Sequence, residues 1–181
     1  MTTLERAKRL LQIPPDDTSQ DDIVVYLMAS SQAIEKFCKR AFRKSIYTET
    51  VSGSGSMHLV LREFPIHDVL NVKIGEQEIT DYRIIPEGML FRAAGWPKGS
   101  YNVHVQYEAG YVLPGDETPE NPRTLPETLE IACVMYAQAL MREPGVSAER
   151  VGDLSVTYAN EGEGLPFAVK ALITPYIGRW V

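Results

Sequence analysis

The sequence is poor in the residues from which most reactive sites are built. It holds two cysteines, Cys38 and Cys133, and three histidines, His58, His67 and His104, and neither set shows a Cys-x-x-Cys or paired-histidine spacing. A transition-metal centre needs several such ligands close together, so no metal site is expected. The G-x-S-x-G elbow of serine hydrolases is missing, and the glycines of SGSGS (52–56) lead into a strand-like run, without the Lys-Ser/Thr of a phosphate-cradling loop. Those glycines read as a hairpin tip. No apolar run approaches the ~20 residues that span a bilayer, and the opening MTTLERAKRLLQ lacks the apolar stretch of a signal peptide. Neither a membrane-spanning nor a secreted chain is expected. The two cysteines fall on helical patterns far apart in sequence, where a small buried thiol is the ordinary role, and they point to a reducing compartment.

Net positive charge is also lacking. The 181 residues carry 18 basic and 24 acidic side chains, a formal charge of −6, and a dedicated nucleic-acid binder is usually basic as a whole. The imbalance is uneven, however, because residues 1–48 hold 8 basic and 6 acidic groups while 49–181 hold 10 and 18. Apolar residues at 44% and charged residues at 23% match ordinary globular chains. This length favours a single domain, able to bury roughly 70% of its extended surface without disulfides.

The periodicity divides the chain into blocks. Leu4, Ala7, Leu10 and Leu11 repeat at helical spacing until Pro14 and Pro15 stop them. A long helix follows, with Ser19 as the expected N-cap, Asp21 and Asp22 in its first turn, and Ile23, Leu27, Ser30, Ile34, Phe37 and Ala41 as its buried stripe. About 22 residues at 1.5 Å each would make a rod of roughly 33 Å. From Ile46 to Tyr111 the period becomes two, through IYTETV, MHLVL, VLNVKI, YRII, MLF and YNVHVQY, which predicts antiparallel sheet. The loop LPGDETPENPRTLP has four prolines in fourteen residues and cannot join that sheet. Thr124 with Glu127 resembles a capping box ahead of a helix carrying Leu129, Cys133, Tyr136 and Leu140. PGVSAERVGD reads as a connector, LSVTY as one more strand, and Pro166 as the start of a last helix that Pro175 bends. The expected fold is therefore α+β: a helical bundle of four helices, one of them long, with an antiparallel β-sheet insert between the second and third. In residue terms, 1–181 is one domain with its helical core in 1–45 and 124–181, the β-rich insert in 46–111 and the acidic, proline-rich loop in 112–124.

Three constellations invite a functional reading. Asp153, Glu161 and Glu163 are the best-placed carboxylates for acid–base work, but the glycines of NEGEG describe a solvated loop. Lys36, Lys39, Arg40, Arg43 and Lys44 put five cations in nine residues. They can contact phosphate, or simply solvate the end of a helix whose dipole they complement. The final segment Tyr176, Ile177, Arg179, Trp180 and Val181 places an aromatic anchor beyond Gly178, where it either meets a partner or folds back onto its own core.

Read in order, the segments resemble the head-tail connector (adaptor, or head-completion) proteins of long-tailed bacteriophages, prophages and gene transfer agents. The resemblance is carried by LERAKRLLQI, DDTSQDD, IEKFCKRAF, LVLREFPIHDVLNVKI, VHVQYEAGY, LPETLEIACVMYAQAL, VGDLSVTY and LPFAVKALITPY, in that order over nearly the whole chain. It implies a structural, non-enzymatic subunit without a cofactor. Such a subunit assembles as a ring, typically dodecameric, beneath the portal protein, extends the DNA channel and offers a platform to a downstream neck or tail-terminator protein. It further implies residence in the virion neck, after assembly in the host cytoplasm. The basic residues 36–44 become candidates for portal contact or transient contact with packaged double-stranded DNA, and the C-terminal segment a candidate for docking on the portal or a neighbouring subunit. A carboxylate-dependent hydrolase using Asp153, Glu161 and Glu163 is one alternative. A DNA-binding regulator using residues 36–44 is the other, although the basic run leads into strands and not through a short turn into a recognition helix.

Overall fold

The computed structural model describes residues 1–14, 22–141, 148–151, 154–157 and 164–178, the two short strands at 148–157 by their backbone alone. Among the described residues there are four α-helices, α1 (Leu4–Leu10), α2 (Ile23–Cys38), α3 (Glu127–Met141) and α4 (Phe167–Ile173), and nine strands, all paired antiparallel. The class is mixed α and β. By contacts the chain divides into two compact units, one made of Met1–Cys38 with Pro126–Tyr176 and the other containing Lys39–Leu125.

The first unit is helical. Thr3 caps α1 by accepting from the backbone N–H of Arg6 at 3.3 Å. On α2 the buried positions Ile23, Leu27, Ser30, Ile34 and Cys38 follow the helical repeat, and α3 packs against both α2 and α4. Pro166 precedes α4, and a single 3-10 turn at Thr174–Tyr176 takes in Pro175. Both cysteines are buried free thiols, and burial pushes the Cys133 thiol above its ordinary value, away from reactivity. The unit also buries a charge. Glu130 is fully enclosed, and Arg6 grips it through two bonds of 2.7 Å, Nε to Oε1 and Nη2 to Oε2, while the Thr2 hydroxyl donates to Oε1 at 2.7 Å. The strands β8 (Ala148–Val151) and β9 (Leu154–Thr157) form a two-stranded ladder.

The second unit is the sheet. β1 (Ser45–Gly53), β7 (Gly99–Ala109), β3 (Ile66–Ile74) and β4 (Gln77–Glu78) lie side by side in that order, and β2 (His58–Val60), β6 (Met89–Phe91) and β5 (Arg83–Ile85) make a second, three-stranded sheet. Alternation sends Val103, Val105, Tyr107 and Ala109 of β7 inward with Val72 and Ile66 of β3, and the outward positions carry Thr48, Thr50, His104, Gln106 and Lys73. Trp96 fills the centre of this core, fully buried, with its indole N–H donating to the Leu90 carbonyl at 3.2 Å.

Three sequence expectations are corrected. The long helix ends at Cys38, not Ala41, because Lys39 turns into the left-handed region (φ 56°), so Arg40, Arg43 and Lys44 lie beyond the helix instead of in its last turns. Thr124 does not cap α3; its hydroxyl accepts from the Val112 N–H at 2.9 Å and closes the proline-rich loop. The segment read as a connector contains β8, which LSVTY supplies with its partner. The expected N-cap Ser19 and the first-turn Asp21 lie outside the described residues.

The Arg6–Glu130 pair has an asymmetric consequence. Arg6→Ala leaves a buried carboxylate without its counter-charge and should cost about 3 kcal/mol or more of unfolding free energy, whereas the double variant Arg6→Met/Glu130→Met should recover much of that loss. Urea titration followed by circular dichroism reads both, and equal losses in the two variants would show that the pair contributes nothing as a pair.

Candidate functional site

The five cations singled out in the sequence do not form one equivalent set. Lys36 is exposed in the last turn of α2, and Lys39 is exposed just past it. Arg43 and Lys44 each face a carboxylate: Arg43 Nε lies 3.2 Å from Asp116 and Lys44 Nζ 3.2 Å from Glu108. These four residues, with Tyr111, Val112 and Asn121, line a recess of about 300 Å³. Its two positive and two negative groups balance, so it is a polar seat without net charge.

Arg40 is different. Its side chain is wholly withdrawn from solvent, its guanidinium donates to the Phe64 carbonyl, and its Nε lies 3.9 Å from Glu63. The guanidinium carbon stacks 3.4 Å from the centre of the Phe64 ring, with the Phe42 ring at 5.0 Å and the Tyr111 ring at 5.9 Å. A residue expected at a polar helix end is thus a core residue of the second unit. Once Lys39 leaves the helical conformation, the next side chain turns inward to partners distant in sequence, Glu63, Phe64 and Tyr111.

Around Arg40 runs a polar network with no obvious signal in the sequence. Glu63 Oε2 accepts the Ala41 N–H at 3.0 Å. The Glu63 N–H donates to the Tyr107 hydroxyl at 3.1 Å, and that hydroxyl donates to Glu49 at 2.5 Å. Glu49 also accepts the Arg62 N–H, at 3.2 Å to each oxygen. Burial pushes the Glu63 carboxyl up to about 7, outweighing the opposing pull of Arg40 and of the Ala41 N–H. Arg40 loses that contest because it sits at 3.9 Å and is aimed at the Phe64 carbonyl. Tyr107 is raised in the same direction, first by burial and then by its bond to Glu49. The one hint in the sequence is the charged pair Arg62 and Glu63 inside the otherwise apolar LVLREFPI.

The segment after Arg40 is held by backbone. Tyr111 N–H donates to the Phe42 carbonyl at 2.7 Å, and Lys44 N–H donates to the Tyr111 carbonyl at 2.7 Å. Gly110 makes this approach possible: its φ is 102°, and a Cβ there would stand 2.7 Å from the Arg43 carbonyl oxygen.

Of the C-terminal candidates, Tyr176 and Ile177 are half-buried, and the Tyr176 hydroxyl pairs with that of Thr128 at 2.7 Å, on the first turn of α3. Arg179, Trp180 and Val181 lie outside the described residues, as do the carboxylates Asp153, Glu161 and Glu163. Among the described residues, no three or more His, Cys, Asp or Glu side chains are grouped to hold a metal ion, and no helix is long and apolar enough to cross a membrane.

The Glu63 network sets a pH dependence. Between pH 4.5 and about 7 the folded chain holds a proton on Glu63 that the unfolded chain releases, so the stability contributed by this group is full below 4.5 and falls as pH rises through that window. Glu63→Gln, which carries a permanently neutral group, should flatten that decline. Thermal melts from pH 5 to 8 measure it, and parallel curves for the variant and the parent chain would dismiss the assignment.

Comparison with known proteins gives a consistent result. The model of the family described as "Head completion protein" matches residues 1–177. No curated protein matches the chain. Among solved structures, the chain is similar to one from the neck of an empty gene transfer agent (GTA) particle computed with C6 symmetry (TM-score 0.57, 17% identity, 91% of this chain and 82% of the other). It is also similar to a chain from the neck of a native GTA particle computed with C12 symmetry (TM-score 0.56, 18%, 88% and 83%). A third, from the virion of a native GTA particle, has a TM-score of 0.58 at 19% identity and covers 98% of this chain and 89% of its own.

Proposed function

Because this chain belongs to the head completion protein family, we propose that it is a structural, non-enzymatic subunit of the neck of a phage-type particle, where it forms a ring under the portal. In that position it extends the DNA channel and provides the platform on which a downstream neck or tail-terminator protein assembles. One observation carries the reading: the family match runs over residues 1–177, taking in both compact units and not one module. The GTA neck chains with the same fold, described with C6 and C12 symmetry, support a ring. The finer arrangement belongs to the same proposal, a helical bundle with the sheet as an insert acting as a single domain.

The polar groups of the site fit a structural use. Arg40 and Glu63 are spent on internal contacts, and the two carboxylates of the recess face cations of the same chain. In the proposed role the accessible cations Lys36, Lys39 and Arg43 meet the portal or the passing DNA phosphates. The segment Tyr176, Ile177, Arg179, Trp180 and Val181 is proposed to dock on the portal or on a neighbouring subunit.

The test is the mass of the purified chain with and without its portal. An acidic chain of net charge −6 repels its own copies, so it should scatter light as a monomer or a weakly associated species alone and as a ring on the portal. A stable closed dimer unchanged by the portal would refute the reading. Within particles, Lys36→Gln/Lys39→Gln/Arg43→Gln should leave the melting temperature nearly unchanged but impair DNA retention or tail joining. Arg40→Gln, by contrast, should unfold at lower temperature, since it removes a buried charge that Glu63 and three rings surround. Normal, DNA-filled, tailed particles from the triple variant would demote those cations to solvated side chains.

A further inference from the structure

We propose that the outward faces of α2 and α3 are the two halves of one head-to-tail contact between copies of this chain, the α2 face of one copy meeting the α3 face of the next. The inference rests on the ring reading and adds to it the surfaces that make the ring.

Charge is the first observation. In a chain with 23% charged residues, the run from Ile23 to Ile34 has none, and neither does the run from Ile131 to Met141. A helix face that only meets water ordinarily carries charged and polar side chains opposite its buried stripe. Depletion of charge together with methionine is what the core of a protein interface shows.

Exposure is the second. On α2, Val24, Val25 and Met28 stand at i, i+1 and i+4 and are 39%, 65% and 60% exposed, on the side away from the buried Ile23, Leu27 and Ile34. On α3, Ile131 and Met135 lie one turn apart and are 41% and 37% exposed, away from the buried Leu129 and Cys133. Each helix has its own core stripe, so these second faces are not residues displaced from the core.

The occupant follows from charge and symmetry. A charged ligand such as nucleic acid finds no counter-charge on either face. A second copy, itself at −6, is repelled over most of its surface and least repelled where neither side bears charge. The two faces differ in sequence and belong to different helices. Pairing either one alone with itself would close a dimer and leave the other face open to water. Pairing one with the other satisfies both on every subunit, and that heterologous contact is the type that closes into rings.

Charge exchange on the full-length chain tests this. Met28→Lys and Met135→Glu each place an uncompensated charge in the contact and should weaken every subunit junction about tenfold or more, so that rings are lost on the portal while circular dichroism and melting stay as in the parent. The double variant Met28→Lys/Met135→Glu should restore rings. Separately, Met28→Cys/Met135→Cys treated with a short bis-maleimide in assembled necks should give a ladder of covalent multimers, with neither single variant cross-linking. Rings of normal yield from both charged single variants, or dimers from Met28→Cys alone, would overturn the surface assignment and leave the ring reading standing. Absence of any ring from the unmodified chain on its portal would overturn both.

Discussion

A guanidinium keeps its proton at any pH a protein meets, so a chain that buries one must bring compensating groups to it. Arg40 is that group here, and its requirements organise the start of the sheet. The Phe64 carbonyl, the Glu63 carboxyl and the rings of Phe42, Phe64 and Tyr111 all converge on it. With Arg40 and Phe42 both turned inward, the chain cannot continue as helix beyond Lys39. It runs extended instead, and the two 2.7 Å bonds to Tyr111 lay Phe42–Lys44 beside the end of β7. That placement fixes register, since β1 begins at the next residue with Ser45 opposite Ala109. A one-residue slip would turn Tyr47, Glu49 and Val51 from the core side to the solvent side.

The second consequence concerns where protons sit. The Tyr107 hydroxyl accepts from the Glu63 backbone and donates to Glu49, so its only proton is committed to one of the two nearby carboxylates. Glu63 is left with the Ala41 N–H and a distant Arg40, too little to offset burial, and it retains a proton to about pH 7. A raised carboxyl in a cleft is often a mark of catalysis. Here Glu63 ties the chain after α2 to the entry of β3, its carboxyl accepting the Ala41 N–H and its own N–H donating to the Tyr107 hydroxyl, which is a structural occupation.

The strands were legible in the sequence because one face of the sheet is buried and the other is wet, and such a sheet must alternate. Val103, Val105 and Tyr107 against His104 and Gln106 leave no other reading. The end of α2 was not legible. Lys39 adopts a left-handed conformation without being glycine or asparagine, and the pressure to do so comes from Glu63, Phe64 and Tyr111, partners distant in sequence. Glu130 was hidden for a similar reason. It adjoins Leu129 in an apolar stripe, and only the fold brings Arg6 to it. Thr124 carried a sound local signal for a cap, but Val112 N–H, twelve residues back, won its hydroxyl. Of the five cations, the sequence identified a basic stretch; which member was core and which were surface depended on that one turn at Lys39.

Sorting the cations by burial also changes what they could do in the proposed DNA-channel role. Exposed pairs such as Arg43 with Asp116 contribute about 0–1 kcal/mol, so exchanging the carboxylate for a passing phosphate costs little in either direction. Arg40 offers no such exchange, because its partners are buried with it. In the proposed role the contact offered to DNA would then be shallow, divided among a few side chains and screened by salt, releasing few counterions per subunit. In the proposed ring, contacts of that kind would hold a duplex on axis without fixing its register, whereas a uniformly basic surface would bind phosphates tightly enough to oppose sliding. Under that proposed role the net acidity of the chain and its small basic stretch would be parts of one arrangement, in which weakness of each phosphate contact is the condition for passage.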